Sequence, residues 1–219
     1  AAGIGALFSA PLGGGVFAAE ILFASSLDYH VLFPAILAST AGYLVSSSLG
    51  VLNSFVRPVA YGFFYPHIFP ILLAAVFSAL VGMAFIYGHQ KMTSYLSRVK
   101  TYRWWLPAIG GAGVIAVGLI FGKEVMGTGD KIIGDAFGGR ILPLACVLII
   151  AGKILSTNLT VGFGQSGGLT YPAVILGCLG ANLASHIAGA TGGEIHQALL
   201  CAGMAASMAA VLNTPLAAA

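Results

Sequence analysis

The chain has 219 residues, 58% apolar and only 7% charged, where an ordinary soluble domain carries about 25% charged residues. Nine basic and six acidic side chains cannot clothe a soluble fold of this size, which would show large apolar patches to water. So much apolar surface also excludes disorder.

The remaining class is an all-α, polytopic helical membrane protein. Apart from histidines, no charge interrupts residues 29–56, 58–90, 104–122 or 154–193, and a helix crossing the hydrocarbon core needs about 20 mostly apolar residues. A transmembrane barrel would instead alternate polarity over strands of about 10 residues; the run from Phe69 to Phe77 does not alternate. Seven hydrophobic segments are predicted, at about 1–24, 31–52, 66–89, 104–121, 139–157, 170–188 and 196–213. Several are broken by Pro or Gly, which a membrane tolerates only where the freed backbone groups face protein or a wet cavity.

In the first segment, Glu20 follows Pro11 by nine residues in an apolar stretch. An ionisable group at membrane depth is a functional candidate by default; the other reading is a structural carboxylate satisfied by backbone amides or water. After the third segment, Lys91, Arg98, Lys100 and Arg103 occur without an acidic partner. Between two spans this is a cytoplasmic loop under the positive-inside bias rather than a nucleic-acid patch, and Trp104-Trp105 reads as an interfacial anchor. Cys146, Cys178 and Cys201 lie in apolar runs, as packed, reduced thiols would. The histidines show no metal-ligand spacing with a carboxylate or thiol, so no metal is expected.

The sixth segment is entered through Gly162-Phe163-Gly164-Gln165-Ser166-Gly167-Gly168-Leu169-Thr170-Tyr171-Pro172. A Gly-rich polar loop leading to Pro just inside a helix marks a helix N-terminus. In a bilayer it reads as a broken helix whose amides and dipole attract an anion. A plain loop between spans, or small residues for tight helix packing, fits the same residues. The ends of the chain share a further pattern. Phe8-Ser9-Ala10-Pro11-Leu12-Gly13 and Leu212-Asn213-Thr214-Pro215-Leu216-Ala217 both read large apolar, small polar, small, Pro, Leu, small. With Ala1 in place of Met and a helix pattern starting at Pro215, this predicts a piece of an inverted-repeat parent of ~400 residues.

The stretch from Lys153-Ile154-Leu155-Ser156-Thr157 to Gly180 resembles the helix–loop–helix of the CLC family of chloride channels and proton–chloride antiporters. That element carries the family's Gly-x-Phe-x-Pro anion motif, which here reads Gly168-Leu169-Thr170-Tyr171-Pro172. Phe8 to Glu20 is similar to the helix pair following the family's gate motif. Leu106-Pro107-Ala108-Ile109-Gly110-Gly111 with Gly127-Thr128-Gly129 fits a middle helix, and Ala202 to Leu216 fits the late Ala-Pro-Leu segment. The order and spacing of these matches carry the resemblance over nearly the whole chain.

The resemblance implies part of an antiparallel two-half fold with broken and tilted helices, usually a homodimer with a separate pore in each subunit. Residues 1–219 would form a single transmembrane domain fragment, with about 1–60 ending the first half and about 66–219 making most of the second. Chloride or a similar monovalent anion would be held by the Leu169 and Thr170 amides, within the site Ser166, Gly167, Gly168, Leu169, Thr170 and Tyr171. Thr170 stands where the family has Phe, making the pore wall smaller and more polar. The gating Glu, a Ser and a late Tyr of the family's site lie outside the chain. Glu20 matches a common family Glu. The next position, a proton-accepting Glu in many coupled members, is Ile21, which leans the reading toward passive conduction. Gly122-Lys123-Glu124 imitates the gate motif, but Val125-Met126 replace its Gly-Pro, so Glu124 is read as a solvated loop charge.

The expected partners are the anion, the lipid bilayer and a second copy, with no nucleic acid, no enzyme activity and no cofactor beyond bound chloride. An unrelated inverted-repeat transporter of an anionic substrate is the first alternative. The second is a rhomboid-like intramembrane serine protease using Ser166 with His186. Such a pair must approach within about 2.6–3.2 Å, but a helix from Tyr171 to His186 would separate them by roughly 20–25 Å.

Overall fold

In a computed structural model, residues 1–23, 29–50, 67–98 and 104–218 are described. These form helices α1 (Ala2–Leu7), α2 (Pro11–Phe23), α3 (Tyr29–Ser48), α4 (Ile68–Ser97), α5 (Leu106–Phe121), α6 (Asp130–Phe137), α7 (Pro143–Gly162), α8 (Thr170–Ile187), α9 (Gly193–Leu212) and α10 (Pro215–Ala218), with a 3₁₀ turn at Lys123–Val125. No strand occurs among the described residues.

The helix starts follow proline chemistry. Pro11, Pro143 and Pro215 open their helices, and Pro107 and Pro172 sit in first turns, where a missing N–H removes no intrahelical bond. The first hydrophobic segment is two helices rather than one. Ser9 takes a left-handed backbone (φ 52°), and Pro11 then starts α2. The third segment runs past its apolar end to Ser97, because no Gly or Pro from Gln90 to Ser97 stops it. Lys91 is thus helical, and Lys100 and Arg103 of the basic stretch lie outside the described residues. Helix α6 was not expected, since its Asp130, Lys131 and Asp135 read as a connection; it buries Ile132, Ile133 and Ala136 on one face.

Among the described residues, four helices are long and apolar enough to cross a bilayer: His30–Ser48, Ile68–Ser97, Pro143–Gly162 and Gly193–Leu212. Their outward faces expose Leu44, Phe69, Leu80, Leu144 and similar side chains, a surface suited to lipid rather than water. The chain is an integral, multi-pass helical membrane protein. Helices α2 and α5, at 13 and 16 residues, reach only ~20–24 Å and fall short of the ~30 Å core.

Helix α8 is the centre. From Pro172 to Asn182 every residue is buried, enclosed by α4, α7 and α9. Small residues let the backbones approach. A Cβ on Gly177 would lie 2.7 Å from Ser207 Cβ and 2.8 Å from Met204 Cα on α9. One on Gly180 would lie 3.0 Å from Ser78 Cα on α4. Ser78 Oγ donates to the Gly177 carbonyl at 2.9 Å, tying α4 to the middle of α8.

Candidate functional site

Helix α7 ends at Gly162, and the chain reverses through Gly164, whose φ of 82° suits glycine. The Gly164 and Gln165 amides donate back to Val161 O (3.1 Å) and Thr160 O (3.0 Å). Gln165 Nε2 donates to Pro107 O, pinning the loop to α5. The chain then enters α8 through Leu169, which caps it without a side-chain hydrogen bond. The first bond of the helix runs from Ala173 N–H to Leu169 O at 3.0 Å. The N–H groups of the turn before Ala173 therefore have no acceptor within the helix.

Ser166, Gly167, Gly168 and Tyr171 come together on the wall of a cavity of about 410 Å³. Ser156, Thr157, Thr160, Gly127 and Thr128 supply much of the rest, so the lining is rich in hydroxyls and backbone. Ser166, Gly167 and Gly168 are exposed, while Leu169, Thr170 and Tyr171 are half-buried. The Leu169 side chain packs against the buried group formed by Phe85, Ala173, Leu176 and Val211. Neither Leu169 nor Thr170 is on the cavity wall.

Two anchors missed by the sequence reading hold this cavity together. Tyr171 Oη donates to Asp130, whose other oxygen accepts from Thr128 Oγ1 at 2.8 Å. The start of α6 is thereby fastened to the first turn of α8. Opposite, Lys153 in α7 is buried and donates to Gly127 O at 2.6 Å and Val125 O at 3.4 Å. Ser156 Oγ also donates to Val125 O, at 3.3 Å. The signal for Lys153 was in the sequence, as a cation inside an apolar segment. Nothing in the sequence paired Tyr171 with Asp130, 41 residues earlier.

Glu20 does not join this cavity. Its carboxylate, 9% exposed, accepts the Leu216 N–H at 3.0 Å and the Ala217 N–H at 2.8 Å. It thus caps α10 with one oxygen per amide, the arrangement of a structural carboxylate. Ile21 is half exposed beside it. Glu124 is a partly exposed loop charge paired with Lys131 at 3.1 Å, and its hydrogen bond and charge hold the Lys131 ammonium above the usual lysine range. Ser166 and His186 lie at opposite ends of α8. The His186 ring is 3.4 Å from Ile141 O and the His196 ring 3.0 Å from Ala136 O, so neither serves Ser166 as a base. Cys146, Cys178 and Cys201 are free thiols.

The family profile described as voltage gated chloride channel matches residues 1–219. The chain belongs to the CLC family. An uncharacterized protein of Methanocaldococcus jannaschii is 33% identical over 217 residues, covering 99% of this chain and 54% of that one. A chloride/fluoride channel protein of Pseudomonas syringae pv. tomato is 26% identical over 225 residues, covering 99% and 48%. The chain thus spans about half the length of these CLC relatives. Its fold is similar to the crystal structure of a CLC-type fluoride/proton antiporter, with a TM-score of 0.78 and 23% identity over 96% of this chain and 52% of that one.

Proposed function

We propose that the protein to which this chain belongs moves chloride or a similar monovalent anion across a bilayer, using main-chain amides at the start of α8. The observation that carries the reading is the first turn of α8. It has no side-chain cap, adjoins a cavity lined in part by Ser156, Thr157, Thr160 and Lys153, and heads a helix buried from Pro172 to Asn182. Partial positive charge from amides and the helix dipole can replace part of an anion's hydration shell. Half-helix termini in such transporters do this near the middle of the bilayer. The chloride/fluoride channel protein of Pseudomonas and the fluoride/proton antiporter of similar fold support an anion as small as chloride or fluoride.

The site uses the Leu169 and Thr170 amides, with Ser166, Gly167, Gly168 and Tyr171 shaping the approach. The proposal includes a homodimer and a repeat boundary between about residues 60 and 66. Two matched helix breaks support the repeat itself: Ser9 (φ 52°) before Pro11 and Asn213 (φ 56°) before Pro215.

Passive conduction is the reading that Ile21 favours, because an aliphatic side chain cannot carry a proton. Proton-coupled exchange is favoured by the antiporter among the solved structures. Both are tested by one experiment on the full-length protein in liposomes. Flux of chloride, fluoride, bromide and nitrate is followed together with an internal pH dye. Anion flux without stoichiometric proton movement supports a channel, and obligatory counter-movement of protons supports exchange. Absence of flux for every anion removes the transport reading.

A further inference from the structure

The charge in α7 forms no ion pair among the described residues, and the Asp130 carboxylate attracts it without touching it. Lys153 is 4% exposed, and its hydrogen bonds go to main-chain oxygens of Gly127 and Val125. The ion pairs among the described residues are Lys131–Glu124 and Arg140–Asp135; neither includes Lys153. The carboxylate on the same side of the fold, Asp130, is engaged at both oxygens by Tyr171 and Thr128. Removing an ammonium from water costs several kcal/mol, and carbonyl dipoles alone recover part of it. Buried charges in folded proteins therefore come paired. Lys153 also lines the same cavity as Ser166, Gly167, Gly168 and Tyr171.

We infer that Lys153 supplies a fixed positive charge to the anion cavity at the start of α8, and that the transported anion is the contact partner its ammonium lacks among the described residues. This rests on the transport reading above and adds a residue to it. The arrangement also suits a conducting site. Two of the three ammonium protons are spent on Gly127 and Val125, so the charge attracts across the cavity without closing all its donors on the ion. Dipoles at the first turn of α8 then provide the contact, and Lys153 the field.

The test is halide binding to the purified full-length protein by calorimetry, with sodium chloride and sodium fluoride as titrants and gluconate as the inert anion. Lys153→Met and Lys153→Gln remove the charge, and Lys153→Arg keeps it. The neutral variants are expected to bind halide about tenfold more weakly or worse, with Lys153→Arg within about threefold of wild type. In gluconate, both neutral variants are expected to fold, at a somewhat lower unfolding temperature because the Gly127 and Val125 carbonyls lose their donor. Wild-type affinity in either neutral variant overturns the inference. So does a failure of both neutral variants to fold while Lys153→Arg folds, which would make Lys153 a strut for the 125–127 turn. If wild type itself neither binds nor moves halide, the transport reading falls first, and that result is distinct because the loss is already present before any substitution.

Discussion

Leu169 is proposed to act through its main chain, while its side chain does something unrelated. The side chain packs with Phe85 and Leu176; the N–H is one of the donors that the helix leaves free. Leu169→Pro deletes that donor and is expected to abolish anion flux while the protein still inserts and purifies as wild type. Gly168→Pro should act similarly by crowding the approach. Unchanged flux in the full-length protein would remove Leu169 from the site. Glu20 is the opposite case, a side chain whose geometry is structural. Hydrogen bonds to a charged acceptor contribute about 1.5–3 kcal/mol each. Glu20→Ala, which strands the Leu216 and Ala217 amides, should therefore lower stability by about 3–6 kcal/mol. Glu20→Gln keeps one carbonyl oxygen and should lose roughly half as much. Denaturant unfolding in detergent micelles measures both.

At the scale of elements, α8 depends on the absence of side chains as much as on their presence. A Cβ at Gly177 already meets Ser207 Cβ and Met204 Cα below 3 Å, and α9 backbone cannot yield as a flexible side-chain tip would. Gly177→Val is expected to cost at least about 1–3 kcal/mol through forced separation of α8 from α9, read as a lower unfolding midpoint with wild-type membrane insertion. The helices themselves were legible where long apolar runs are bounded by Pro or Gly, as at Pro143, Pro172 and Pro215. They were not legible where local chemistry misleads. Asp130, Lys131 and Asp135 hid α6, whose buried face rests on only Ile132, Ile133 and Ala136. The break at Ser9 could not be read from its own residues, because serine seldom adopts positive φ; only its likeness to the 212–217 stretch pointed there. For the site, the Gly-rich entry to α8 was readable because a helix start has a chemical signature. The Tyr171–Asp130 and Lys153–Gly127 bonds were not, since they depend on how distant segments pack.

For the whole molecule, the solvent is the organising fact. Polar and small residues line the interior around α8, and Leu80 and Leu119 are among the side chains left outside. Leu80 lies in the middle of α4, so Leu80→Arg should disfavour insertion of that helix by about 2.5–3.5 kcal/mol. Glycosylation mapping of α4 in microsomes measures this, with a loss of the fully inserted topology as the expected outcome. The Glu20 carboxylate joins residues 196 and 197 positions apart in the chain. At about 5–20 residues per second of synthesis, roughly 10–40 s pass between the emergence of Glu20 from the ribosome and that of the amides it will accept. During that interval a carboxylate bound for the protein interior has to be hosted by water, by lipid headgroups or by the insertion machinery. Helix α10, translated some 196 residues later, is thus what gives the Glu20 carboxylate its final partners.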